Sequence, residues 1–202
     1  LNPLSSLRAL ILSRNVLILS YLRLTFSFTR AFITTLFALY ASESLLLTSS
    51  LIAVLFGIKG VTNMIFRFPS GKLSDKIGHK VPLVLSYSLL VLVYLIISES
   101  GDFYVLSFAM AIFGLAHAMR AVTEWSLLGN ITSPKNSGVA TAYLSTMFNI
   151  GGAFGAVASG ILSLIIPTQL IFRLASLIVL PGAFASLLIG QNVKSNRFTV
   201  TD

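Results

Sequence analysis

Six stretches of this chain, residues 16–40, 48–69, 81–98, 103–130, 138–166 and 168–190, are apolar over lengths that a soluble domain of this size rarely needs. About 20 residues of α-helix cross the roughly 30 Å hydrocarbon core of a bilayer. In lipid every backbone polar group must be satisfied inside its own segment, so each stretch predicts a spanning helix. The connections are too short to hold a soluble domain, and composition agrees: 55% of residues are hydrophobic and 10% charged, with a mean hydropathy of +0.91. The expected fold is an all-α membrane protein: a leading segment 1–15, a six-helix bundle over 16–190, and a tail or linker over 191–202.

The formal charge of +8 could point to nucleic acid, but the placement of the cations reads as membrane topology instead. Arg8 and Arg14 precede the first span; Lys72, Lys76 and Lys80 lie between the second and third; Lys135 follows the fourth; Lys194 and Arg197 follow the sixth. The opposite connections carry only Glu43, Glu99 and Asp102 as charges. By the positive-inside rule both termini are cytoplasmic and the chain is integral to the plasma (cytoplasmic) membrane. The absence of cysteine excludes disulfides, thiolate catalysis and cysteine-based metal sites, and neither a metal nor an organic cofactor is implied. The sequence has no N-P-A pair, no G-x-S-x-G and no phosphate loop, so an enzyme is not expected. The start shows no cleavable leader pattern, and a first residue of Leu1 in place of Met predicts a chain that has lost its true beginning.

Residues 67–83 read RFPSGKLSDKIGHKVPL. Lysines there set sidedness, whereas Gly71 and Gly78 offer backbone freedom and Asp75 an anion for a helix N-terminus or a basic neighbour. The run Gly71 to Lys80 resembles the loop between helices 2 and 3 of the Major Facilitator Superfamily, roughly G-x-L-[AS]-D-[RK]-x-G-[RK]-[RK]. His79 stands where that pattern has Arg or Lys, and this lessens the positive charge near neutral pH. Residues 14–40 and Ser133 to Ala140 resemble the family's first helix and its loop between helices 4 and 5. The resemblance implies a secondary transporter that alternates between inward-facing and outward-facing states, with Gly71, Asp75, Lys76, Gly78 and Lys80 as a conformational lock. It also implies that helices 1, 2, 4 and 5 line the path while 3 and 6 face lipid.

Family members usually carry two six-helix halves, so a second half, in a longer chain or a second copy, is an expected partner. Each half contains two inverted three-helix units. Ser70 to Ile77 and Ser159 to Ile166 agree at five of eight positions, an echo of that repeat. The fifth helix, Asn149 to Gly160, resembles the G-x-x-x-G-P-x-x-G-G motif of drug and proton antiporters, with Ala156 in place of the proline and Ser159 in place of a glycine. That resemblance implies export. Close helix packing by Gly151, Gly155 and Gly160 would demand the same small residues.

Charges inside the spans need partners or water. Arg23 and Arg30 share a face of the first helix with Ser20, Ser27 and Thr34. Lys59, Asn63 and Arg67 follow one another along the second, with Arg67 near enough to the surface to snorkel. His117, Arg120 and Glu124 fall together on the fourth, where Arg120 and Glu124 can form a structural pair and His117 can simply pack. Trp125 reads as an interface anchor. Arg30, Lys59 and Arg120 oppose the single acid Glu124, and two unpaired cations in lipid would cost about 5–7 kcal/mol. A wet cavity that receives an anionic or polar acidic solute would relieve this, with Arg30 and Lys59 as contacts, Asn63, His117, Arg120 and Asn149 on the path, and Glu124 as the candidate proton carrier. The expected partners are lipid, a small solute and a proton. The rival reading is a non-transporting remnant or assembly subunit, because one half lacks the opposing wall.

Overall fold

The computed structural model describes residues 12–190. The expectations placed on residues 1–11 and 191–202, including those for Arg8, Lys194 and Arg197, lie outside the described residues. Six long helices fill the rest: α1 Arg14–Glu43, α2 Ser49–Ile77, α3 Lys80–Glu99, α4 Phe103–Ile131, α5 Ser137–Ser163 and α6 Thr168–Leu187, with one short 3-10 turn, Pro134–Asn136, before α5. All six are long and apolar enough to cross a bilayer. We call the end carrying Arg14 and Gly78 the basic end, and the end carrying Glu43, Glu99 and Asp102 the acidic end.

Sequence chemistry explains the turns. Asp102 caps α4 by accepting from the amides of Tyr104 (3.0 Å) and Val105 (3.1 Å). Pro82 occupies the first turn of α3, where its missing N–H costs nothing. Gly78 ends α2 with φ +82°, a conformation that favours glycine. The motif region was expected as a loop after residue 69, yet α2 runs through Pro69 and the motif to Ile77. Apolar character stops where hydrocarbon stops, whereas helical hydrogen bonding continues into the polar layer. Gly71 is therefore helical, and only Gly78 uses its conformational freedom.

The packing follows an internal two-fold that exchanges α1–α2–α3 with α4–α5–α6. Helix α1 lies along α5 as α4 lies along α2, α3 meets α4 as α6 meets α1, and α3 lies along α6. This is the inverted-repeat arrangement. The α1–α5 crossing is close because Cβ atoms at Gly151 and Gly155 would fall on the carbonyls of Leu24 and Phe28. At the related α4–α2 crossing the glycine is on the other helix: a Cβ at Gly114 would lie 2.5 Å from the Lys59 carbonyl oxygen. Gly160, expected in the same packing set, is exposed with open space around it. The stripe runs 151, 155, 159 at four-residue spacing, and buried Ser159 bonds Thr35 of α1 at 2.6 Å.

Helices α3 and α6 were expected to face lipid more than the others, but both are better covered than α2 and α5. Pro82, Leu83, Ser86, Tyr87, Leu90, Val93, Tyr94 and Ile97 form a helical stripe on α3 that packs inward. By contrast α2 buries only Ile52, Leu55, Ser70 and Ser74, and Val61, Met64, Ile65 and Phe68 stand out from it. Phe154, Val157 and Ile161 stand out in the same way from α5. The two-fold accounts for this, since α3 and α6 lie on its axis against each other while α2 and α5 flank it.

Gly155→Val should drive α5 from α1 and cost about 1–3 kcal/mol, whereas Gly160→Val should stay within about 0.5 kcal/mol of the parent. Thermal unfolding of the two variants in one detergent checks the contrast. Equal midpoints would contradict the assigned crossing.

Candidate functional site

Between α1 and α4 lies a buried ionic cluster. Glu124, fully buried, accepts from Arg23 Nε at 3.0 Å and from Arg120 at 2.5 Å. Its other oxygen lies 3.3 Å from the Tyr87 hydroxyl of α3, which also donates to the Leu22 carbonyl at 2.6 Å. Both guanidiniums rest on aromatic faces: Arg23 lies 3.8 Å from the Trp125 ring centroid and Arg120 3.7 Å from that of Phe26. One carboxylate thus holds two cations, and hydroxyl and ring contacts from three helices fix them. Glu124 is about 10 Å along α4 from its end at Ile131, so the cluster belongs to the basic half of the bundle.

A cleft of about 310 Å³ opens beside this cluster. Arg23, Arg67, His117, Arg120, Trp125 and Asn149 contribute to its walls. The fourth-helix spacing of His117, Ala121 and Trp125 puts them on one face, and the α5 residues Ser145 and Asn149 lie one turn apart opposite. Trp125, expected as an interface anchor, lines the cleft under Arg23. Arg67, expected to snorkel, is exposed and stands in the cleft wall, donating Nε to Asn63 Oδ1 at 3.2 Å. Asn63 in turn donates to the Gly114 carbonyl of α4 at 3.3 Å. The tight α2–α4 crossing at Gly114 is what brings that carbonyl within reach.

Arg30 and Lys59 lie deeper. Arg30 sits 5.3 Å from the Phe148 ring centroid, and its buried Nε has no hydrogen-bond partner. Lys59 Nζ lies between aromatic rings, 4.8 Å from Phe113 and 5.6 Å from Phe56. Neither cation forms a salt bridge among the described residues. His117 lies tilted against Phe26 at 5.1 Å between centroids, and Arg120, Lys59, Arg30 and Arg67 all act on it electrostatically. The one intramembrane carboxylate is already committed to Arg23 and Arg120. The interior is therefore positive by several charges, concentrated around His117.

Of the residues in the α2–α3 region, Asp75, Lys76 and Gly78 are exposed, Gly71 and Lys80 half-buried, and Asp75 forms no ion pair among the described residues. His79 is the residue here that ties helices together. Its Nε2 lies 3.1 Å from Ser126 Oγ and 3.3 Å from Asn130 Nδ2, both on α4. The asparagine nitrogen can only donate, so Nε2 accepts and the imidazole is held neutral. Burial lowers its pKa, with Asp75 opposing. This stabilisation is full above the ordinary histidine value and is lost as pH falls through the depressed one.

Sequence spacing missed the Arg23 partnership with Glu124 and the role of Tyr87. An i,i+4 pair is visible along one helix, but Arg23 lies 101 residues from Glu124. Tyr87 carried no signal beyond a tyrosine within an apolar run. Removing Glu124 as Glu124→Ala should strand two buried guanidiniums and cost about 3–5 kcal/mol, while replacing Arg23, Arg120 and Glu124 together by apolar residues should recover most of the loss. Thermal midpoints in detergent measure both, and an unchanged midpoint for Glu124→Ala would show that the cluster carries no structural load.

The Major Facilitator Superfamily model matches residues 19–199 of the chain. Among curated proteins, the chain is similar to the inner membrane transport protein YajR of Escherichia coli (strain K12), with 25% identity over 145 residues. The match covers 72% of this chain and 32% of that relative, so the chain spans about a third of its length. The family match takes in all six helices and agrees with the two-fold of inverted three-helix units: the chain belongs to the Major Facilitator Superfamily, a class of membrane solute transporters.

Proposed function

We propose that this chain supplies one six-helix half of a secondary transporter that moves a small anionic solute by alternating access. The single observation that carries this reading is the pair Arg30 and Lys59, two intramembrane cations without a carboxylate partner among the described residues. Cations at this depth are costly unless water or a counter-charge reaches them. An anionic solute entering from the cleft supplies that counter-charge, and the aromatic rings of Phe148 and Phe113 hold the two side chains in place meanwhile. Lipophilic cations are rejected by the same field.

Glu124 takes a different part from the proton carrier that the sequence reading favoured. Protonating it would release Arg23 and Arg120 together, so we assign it as their fixed counter-ion. In this reading the basic end is cytoplasmic, by the positive-inside rule. The α2–α3 turn then lies at the cytoplasmic face, with exposed Asp75 and Lys76 free to engage a second six-helix half. The uncovered apolar faces of α2 and α5 support such a partner, in a longer chain or a second copy. They give a non-transporting remnant less support, because the polar cleft would then serve nothing.

Reconstituted vesicles containing the transporter should accumulate or release organic anions in preference to cations of matching size. Arg30→Ala combined with Lys59→Ala should reduce anion flux at least tenfold, the equivalent of about 1.4 kcal/mol. Unchanged anion flux in that double variant would overturn the assignment of these residues.

A further inference from the structure

The unpaired positive charge is in two places. Lys59 and Arg30 form the deep station. Arg67 forms another at the cleft. Lys59 and Arg67 are eight positions apart on α2, about 12 Å along the helix axis, before either side chain reaches inward. Arg23 and Arg120, also in the cleft wall, share Glu124, so their charge is already partly met.

Arg67 is also built into place. A free arginine near a helix end would extend toward the membrane surface. Here its Nε is tied to Asn63 of its own helix, and Asn63 to the Gly114 carbonyl of α4, while the exposed guanidinium stands in the cleft wall. Its Nε bond to Asn63 is the one hydrogen bond it makes among the described residues, so its two terminal amino groups remain available to an oxyanion. That fork geometry suits a carboxylate.

Resting on the anion reading above, we propose that the solute is a dianion with a negative group at each end, one received by Arg30 and Lys59 and the other by Arg67. Asn63 is the positioning residue that aims Arg67. A carboxylate at each end of a short chain satisfies both stations at once. A monoanion satisfies one and leaves the other cation uncompensated.

The chain contains one tryptophan, Trp125, and it lies in the cleft wall, so its fluorescence reports binding without a label. Purified protein in detergent at constant ionic strength would be titrated with straight-chain dicarboxylates from malonate to suberate and with monocarboxylates of equal carbon number. The expected result is an optimum chain length and at least tenfold tighter binding of the best dicarboxylate. Arg67→Gln should abolish that preference, bringing dicarboxylate affinity down to that of the monocarboxylates. Asn63→Ala should weaken the preference while Arg67 is still present. Equal affinity for the two series, or an Arg67→Gln variant that weakens both alike, would overturn the two-station proposal while leaving the anion site standing. Failure of both series to bind would overturn the anion reading and this proposal with it.

Discussion

Glu124, held between two guanidiniums in the basic half of the bundle, is the constraint from which the remaining arrangement follows. A carboxylate this deep needs cations, and the cations need more than one carboxylate can give. Arg23 and Arg120 therefore lean on the Trp125 and Phe26 rings as well, and Tyr87 brings α3 into the same cluster. Three helices are fixed to one another at a single charged point. Because that point consumes the available negative charge, Arg30 and Lys59, farther in on α1 and α2, are left without a carboxylate partner among the described residues.

The glycines make this geometry reachable. Gly151 and Gly155 let α5 approach the backbone of α1, and Gly114 lets α4 approach that of α2, so the two-fold is kept although the small residues have changed sides. The second crossing also places the Gly114 carbonyl beside Asn63, which starts the relay to Arg67. Backbone packing and the charge pattern of the cleft are thus one construction. Helix α3, tucked against α6 and α4, contributes Tyr87 to the cluster and keeps both repeats in register.

Much of this was legible in the residues. Hydropathy located all six spans, and the echo between Ser70–Ile77 and Ser159–Ile166 pointed to the repeat that the packing displays. The end of α2 was not legible, because hydropathy records the edge of the hydrocarbon while the backbone continues its hydrogen bonds to Ile77. Arg120 and Glu124 were paired from their spacing, but Arg23 was assigned only to a polar stripe, since a partner on another helix leaves no periodic trace. Gly160 was grouped with the packing glycines by motif, yet four-residue spacing selects Ser159 instead. Arg67 was expected near the surface from its distance to the span centre and is exposed, and only the structure shows its Nε tied to Asn63 at the cleft.

The central claim is that these cations are sheltered by water in a cleft between helices, not dissolved in lipid. The chain has no cysteine, so single cysteines can be read without background. Ser145→Cys and Asn149→Cys lie in the cleft wall, and Val157→Cys lies on the uncovered apolar face of the same helix. Treated in membranes with a charged, impermeant maleimide, the first two should be labelled and the third should not. Refusal of label at both cleft positions, or labelling at 157 alone, would contradict the wet cleft.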